Sequence, residues 1–229
     1  MGRRVTGVAT RLAEVRARVA AAERRAGRAA GSVTLVGASK TVSAARVAEA
    51  LAAGLCDLGE NRAQDLLAKA PELADLGPRW HFVGQLQRNK VKALAKWVSC
   101  WQSVDRAALV DTLARLVPGA AVLVEVNLGG EAAKGGCEPG ATGELVDRAR
   151  AAGLDVLGLM TVPPAGHDPR PYFARLREQA SGLGLHALSM GMTDDFEAAI
   201  EEGATVVRVG RAIFGDRPGP ETGAEHGVR

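Results

Sequence analysis

The chain has 229 residues, enough for one large domain or two small ones around a sizeable core. Hydrophobic residues make up 47%, charged residues 24% and aromatics 3%, with mean hydropathy at +0.00, which excludes a disordered or collagen-like chain. Net charge is +3 from 29 basic and 26 acidic residues, too small an excess, without any basic block, to indicate nucleic acid. No run of eighteen apolar residues is available to span a membrane. Arginines and glutamates interrupt the first twenty residues, so the hydrophobic stretch of a signal peptide is missing. The three cysteines, Cys56, Cys100 and Cys137, are widely spaced and form no Cys-x-x-Cys pair. They suit a reducing cytoplasm rather than a disulfide framework or a zinc site.

The chain opens on an amphipathic helix over 4–26, with Val5, Val8, Leu12, Val15 and Val19 on one face and Gly27 and Gly31 ending it. Its short stripe and mixed charges favour packing against its own domain over a membrane surface or a coiled coil. From Val33 short apolar runs alternate with alanine-rich helical segments. The strand candidates are 33–39, 56–59, 80–84, 97–104, 121–127, 154–160, 185–189 and 205–210. Helix candidates lie between them at 43–53, 61–70, 88–96, 105–116, 141–152, 169–183 and 193–202. Eight strands alternating with helices predict a single (β/α)8 TIM barrel over 33–215 with an extra N-terminal helix. An open doubly wound sheet of six strands is the alternative. The stretches 128–139 and 163–171 read as loops on the face where barrel active sites are built, and 216–229 as a flexible tail.

Lys40 closes the first strand, and alternation places it on one face with Thr34, Val36 and Ala38. A lysine there can enter the barrel mouth and act as a nucleophile toward a carbonyl, although taken alone it also fits a lysine snorkelling from a strand end. Near the other end, 187–200 and 206–215 each read as strand, small residues, then helix. Ser189, Gly191, Thr193 and Gly210 there offer amides and hydroxyls where such barrels often bind phosphate. Thr193 with Asp194 and Asp195 also fits an ordinary helix N-cap. Arg208 lies among Val206, Val207 and Val209 and points into the barrel if the valines face the helices. Buried there it needs a ligand heteroatom or an ion pair with a residue such as Glu60 or Asp57. Glu60 and Asn61 end the second strand at the mouth or as caps, and His81 reads as a hydrogen-bonded core histidine.

Together the segments LVGASKTV (35–42), GENRAQ (59–64), WHFVGQLQRNK (80–90), VNLGGEAAKGG (126–136), GLMTVPP (158–164), LSMGMTDDFEAAI (188–200) and VRVGRAIFG (207–215) resemble the pyridoxal 5′-phosphate homeostasis protein family. That family is similar to the N-terminal barrel of alanine racemase. The resemblance implies a cofactor-binding role for Lys40, as a Schiff base with the cofactor aldehyde. It implies phosphate loops at Ser189, Met190, Gly191, Gly210 and Arg211. It further places Arg208 near the pyridine nitrogen and Asn61 close to the ring. Departures are small: Arg62 stands where the family often has an aromatic, Phe196 where methionine is usual, and Thr193 where serine is commoner.

The resemblance and the chemistry of the site together favour a carrier or regulator of pyridoxal phosphate rather than an enzyme, with dependent apo-enzymes as partners; the cysteines put it in the cytoplasm, and with no exposed apolar patch evident in the sequence the chain is expected to be a monomer. Turnover on this cofactor is helped by a protonated ring nitrogen, and an arginine is no acidic partner for it. Racemisation also needs a second base, and the only tyrosine, Tyr172, reads as a packing residue. The alternatives are a weak racemase or lyase, and a cofactor-sensing module whose N-terminal helix binds a partner protein.

Overall fold

The structure, a computed structural model, describes residues 7–131 and 135–215. The flexible-tail reading of 216–229, Val5 and part of 126–136 therefore lie outside the described residues. In chain order the elements are α1 Val8–Arg25, β1 Thr34–Ala38, α2 Ala44–Ala52, β2 Asp57–Glu60, α3 Ala63–Glu72, β3 Arg79–Phe82, α4 Val91–Leu94 and β4 Val98–Val104. There follow α5 Ala107–Leu116, β5 Ala121–Glu125, α6 Thr142–Ala151, β6 Asp155–Met160, α7 Arg170–Gly182, β7 Ala187–Ser189, α8 Phe196–Glu201, β8 Val206–Val209 and α9 Arg211–Phe214.

All eight expected strands form, each parallel to the next, and β1 pairs with β8 from Thr34 opposite Val206 to Gly37 opposite Val209. That last ladder closes the barrel and excludes the open sheet. Two helices come out shorter than their periodicity predicts. The segment 88–96 splits into a 3-10 turn at Arg88–Lys90 and the single turn of α4, and α8 starts only at Phe196.

Strand alternation sorts the side chains. Leu58, Trp80, Phe82, Trp101, Val207 and Val209 pack in the layer between sheet and helices, while Cys100, Leu123 and Met160 fill the lumen. Each large apolar side chain taken fully out of water contributes roughly 1.5–3 kcal/mol, so the outer layer carries most of the hydrophobic stabilisation.

The α1 stripe of Val8, Leu12, Val15 and Val19 is buried as its spacing predicts. It lies across α8 and α9, where Arg18 covers the Phe196 ring at 4.6 Å and Arg25 pairs with Glu201 at 2.8 Å. The apolar face is thus consumed by the barrel itself, which removes the sequence ground for the partner-binding helix. Glu23, 2% exposed, accepts from the Gly31 and Val33 amides at 3.1 and 2.9 Å and so fixes the path from α1 into β1.

Candidate functional site

The C-terminal strand ends around β1, β7 and β8 surround a cavity of about 640 Å³. Lys40 and Thr41 enter it from the β1 exit, Met192, Thr193 and Asp194 from the β7 loop, and Gly210 and Arg211 from the β8 loop, with Arg208 beneath. Arg46 of α2 adds a further cation. Four basic groups against one carboxylate, Asp194, make the cavity attractive to an anion. That single carboxylate is already paired with Arg211 at 2.6 Å.

Lys40 leaves β1 as expected and is exposed at the rim, and its amine has no hydrogen-bond or ion-pair partner among the described residues. The next residue, Thr41, is the only non-glycine with positive φ among them, at 63°. A β-branched residue held there stores roughly 1–3 kcal/mol, a strain that clusters where the chain must present a group in one direction. The Thr41 hydroxyl donates to the Lys40 carbonyl at 2.5 Å and holds the bend.

Below the rim, Ser39 and Glu60 are fully buried. Lys69 Nζ donates to Glu60 Oε1 at 2.5 Å and to the Ser39 carbonyl at 2.7 Å, and the Ser39 hydroxyl donates to the same carboxylate at 2.8 Å. Glu60 therefore lies under the mouth, held by α3, and is neither a mouth residue nor a cap. Glu60 Oε2 and Asn61 Oδ1 are buried acceptors without a hydrogen-bond partner.

Arg208 does point inward, because Val207 and Val209 face the helices. It is 5% exposed, and its partners are neither Glu60 nor Asp57: it donates to Ser189 Oγ and, at 2.9 Å, to the Thr161 carbonyl. Asp57 is engaged by Arg79 and His81 instead. Burial pulls Arg208 down to about 10, opposed by the charges of Glu125 and Asp195, and the group stays cationic at neutral pH. A buried guanidinium with no carboxylate in hydrogen-bond contact has donors to spare for a ligand in the cavity.

The phosphate-loop residues divide. Gly210 and Arg211 line the cavity, but Ser189, Met190, Gly191 and Asn61 do not. The Ser189 hydroxyl is fully buried inside the barrel, where it holds Arg208. The Met190 side chain packs in the outer core and its amide donates to Val206 at 3.1 Å. Gly191 serves geometry: its φ is +92° and a Cβ would lie 2.5 Å from that of Ala199. Gly210 is needed for β1, since a Cβ there would come within 3.0 Å of the Ala38 carbonyl oxygen.

The cap reading of Thr193 fails. Its hydroxyl accepts from the Gly210 amide at 3.3 Å and ties the two loops together across the cavity. Asp195 takes the N-cap position of α8 and accepts from the Met192 amide at 2.5 Å. Sequence reasoning also passed over Gln102 and Glu125. Alternation from the lumen residues Cys100 and Leu123 would have found both, as it found Arg208. Among the described residues no group of three His, Cys, Asp or Glu could hold a metal ion.

Comparison with known proteins now bears on these features. The family model described as alanine racemase, N-terminal domain, matches residues 10–218. A pyridoxal phosphate homeostasis protein of Aquifex aeolicus is 45% identical over 223 residues, covering 90% of this chain and 97% of that one. The chain belongs to this family. The namesake in Pseudomonas aeruginosa is 44% identical over 220 residues, covering 92% of this chain and 96% of its own. Among solved structures, PipY of Synechococcus elongatus with pyridoxal phosphate bound has a TM-score of 0.81 at 32% identity, covering 91% of this chain and 100% of PipY.

The residues present fit a phosphorylated aldehyde. An unpaired amine, a cationic rim, a loop hydroxyl and a spare guanidinium meet in one cavity.

Proposed function

We propose that this chain binds pyridoxal 5′-phosphate in the β1/β7/β8 cavity and acts in cofactor homeostasis, as a carrier or regulator that delivers it to dependent apo-enzymes. The observation that carries this reading is the convergence of unpaired Lys40 with Arg208, Arg211 and the Thr193–Gly210 loop pair in one cavity. When bound, the cofactor supplies an electrophilic aldehyde on an electron-withdrawing ring. Lys40 would hold the cofactor through its amine, with one water released for the C=N bond formed. Arg211 and the amides of the β7 and β8 loops hold the phosphate by charge-assisted hydrogen bonds, each about 1.5–3 kcal/mol. Thr193 and the Gly210 amide, which satisfy each other in this structure, would be further donors for it. Arg208 would supply a donor toward the ring nitrogen and disfavour its protonation, which suits holding the cofactor more than turning substrate over.

Tyr172 packs against the outer core, so it is not the opposing base that racemisation needs. One observation favours the weaker reading of a racemase or lyase. Glu125, 9% exposed at the end of β5, is pushed up to about 7 by burial and by Asp105, against the pull of Arg208. A carboxyl that titrates near neutrality can serve as a base, but Glu125 does not line the cavity that holds Lys40. We read the chain as a monomeric cytoplasmic protein: its three cysteines are free thiols, and among the described residues the large exposed apolar side chains, Leu76, Leu157 and Met192, are scattered. Among the described residues no helix is long and apolar enough to cross a membrane.

The test is loading and transfer. Purified protein mixed with pyridoxal phosphate should turn yellow, hand the cofactor to an apo-enzyme and form no product from free amino acids. Absence of colour at saturating cofactor would refute binding. Steady racemisation or elimination that is lost in Glu125→Gln would move the assignment to the enzyme reading.

A further inference from the structure

Arg208 is tied to the opposite side of the lumen by a chain of buried hydrogen bonds that cofactor binding does not by itself explain. Arg208 donates to Ser189 Oγ, and Ser189 passes its single proton to Gln102 Oε1 at 2.6 Å. With its oxygen so used, Gln102 turns its amide nitrogen to His81 Nδ1, 2.7 Å away. That ring nitrogen must then carry a lone pair, which puts the His81 proton on Nε2, facing Asp57 Oδ1 at 3.0 Å. Asp57 is clamped in turn by the Arg79 fork at 2.8 and 2.6 Å. The five linked residues come from β8, β7, β4, β3 and β2, and all are at least nine-tenths buried.

Every donor in this chain points the same way, from the ligand cavity toward Asp57. A hydroxyl has one proton, a neutral imidazole one donor and one acceptor, and an amide one oxygen and one NH2 group. Reversing any member therefore sets two donors or two lone pairs against each other at the next. Such chains polarise one another and strengthen in a water-free interior. The chain is fixed at both ends, by the donor-only guanidinium of Arg208 and by the carboxylate of Asp57, and the Ser189 proton is thereby directed at Gln102 with its lone pair toward Arg208. The other charges acting on Arg208, Glu125 and Asp195, are not in hydrogen-bond contact with it.

We infer that His81 and Gln102 are positioning residues for Arg208. By fixing the direction of the Ser189 hydroxyl they hold one edge of the guanidinium against Ser189 and the Thr161 carbonyl, and leave its remaining N–H groups aimed into the cavity. The value of this arrangement to the cofactor rests on the functional reading above; the arrangement itself does not.

Nitrogen-15 NMR on the cofactor-free protein tests the chain directly. His81 should report the Nε2–H tautomer at neutral pH, and the Arg208 guanidinium should give separate, slowly averaging side-chain signals. In Gln102→Leu and His81→Leu those signals should merge. In His81→Gln, which again offers one acceptor and one donor, they should stay separate. Circular dichroism identifies any variant that has lost its fold, and His81→Gln then carries the comparison. A proton on His81 Nδ1, or a freely rotating Arg208 in the wild type, overturns the proposal. So do unchanged Arg208 signals in folded Gln102→Leu. With pyridoxal phosphate added, the two leucine variants should shift the pH midpoint of the bound chromophore's absorbance by about one pH unit, a tenfold change in proton affinity, and His81→Gln should restore it. A wild type that binds no cofactor refutes the functional reading alone, because the tautomer and the guanidinium signals are read without it.

Discussion

Replacing Asp57 by Asn tests the electrostatics of the barrel floor where they are largest. Burial raises the Asp57 carboxyl, but the hydrogen bonds from His81 and Arg79, with the charge of Arg79, outweigh it and bring the group from 3.8 to about 2. A folded value below the unfolded one means stability that is present above pH 3.8 and lost as pH falls toward 2. That lowering corresponds to about 2 kcal/mol at pH 7, and at pH 3 about half of it is gone. Urea unfolding of the wild type and Asp57→Asn at several pH values between 3 and 7 measures both quantities. The wild type should be more stable by about 2 kcal/mol at neutral pH, with a gap that narrows steadily below pH 4. In a chain of this length that gap corresponds to a melting temperature lower by roughly 4–8 °C. A gap that stays constant from pH 7 to pH 3 would refute the reasoning, because it would assign the loss to packing and leave the carboxylate charge no role.

Glu125 carries the opposite sign. Its folded value of about 7 lies above the model-peptide 4.5, so its contribution is present below pH 4.5 and lost as pH rises through 7. Glu125→Gln should therefore stabilise the protein by up to about 3 kcal/mol at pH 8 and by almost nothing at pH 4, read by the same urea titrations. Lys69→Met strands the fully buried Glu60 carboxylate and should cost about 3–5 kcal/mol, while the double change Glu60→Leu with Lys69→Met should cost less than either single one. In native protein a thiol reagent should modify exposed Cys56 alone, since burial pushes Cys100 up to about 12 and raises Cys137 as well; all three should react in denaturant.

The barrel was legible because its signal is repetitive. Eight short apolar runs, often β-branched, separated by helical ones admit few topologies, and the closing β1–β8 ladder joins the first and last of them. Lys40 and Arg208 were legible for a different reason. Each breaks an apolar strand pattern, so alternation alone says where its side chain goes. Ser189, Met190 and Gly191 do not line the cavity, and a motif read as a string of donors does not say which are already committed. Ser189 is spent on Gln102 and Arg208, and the Met190 amide on Val206. Thr193 was misread because its neighbours, two aspartates before a helical run, are the usual cap signal, whereas its partner Gly210 lies 17 residues away. The His81–Gln102–Ser189 chain crosses the lumen between strands 87 residues apart in sequence, a distance that no local pattern reports.

The central claim is that Lys40 is the residue that captures the cofactor, and borohydride reduction of the pyridoxal phosphate-loaded protein tests it most directly. Reduction converts the C=N bond to a stable amine, and peptide mapping then locates the pyridoxyl group. The account predicts the label on Lys40, in the peptide that contains the strained Thr41, and loss of the yellow colour in Lys40→Ala with the fold intact. A pyridoxyl group on buried Lys69 or another lysine, or none on protein saturated with cofactor, would contradict it.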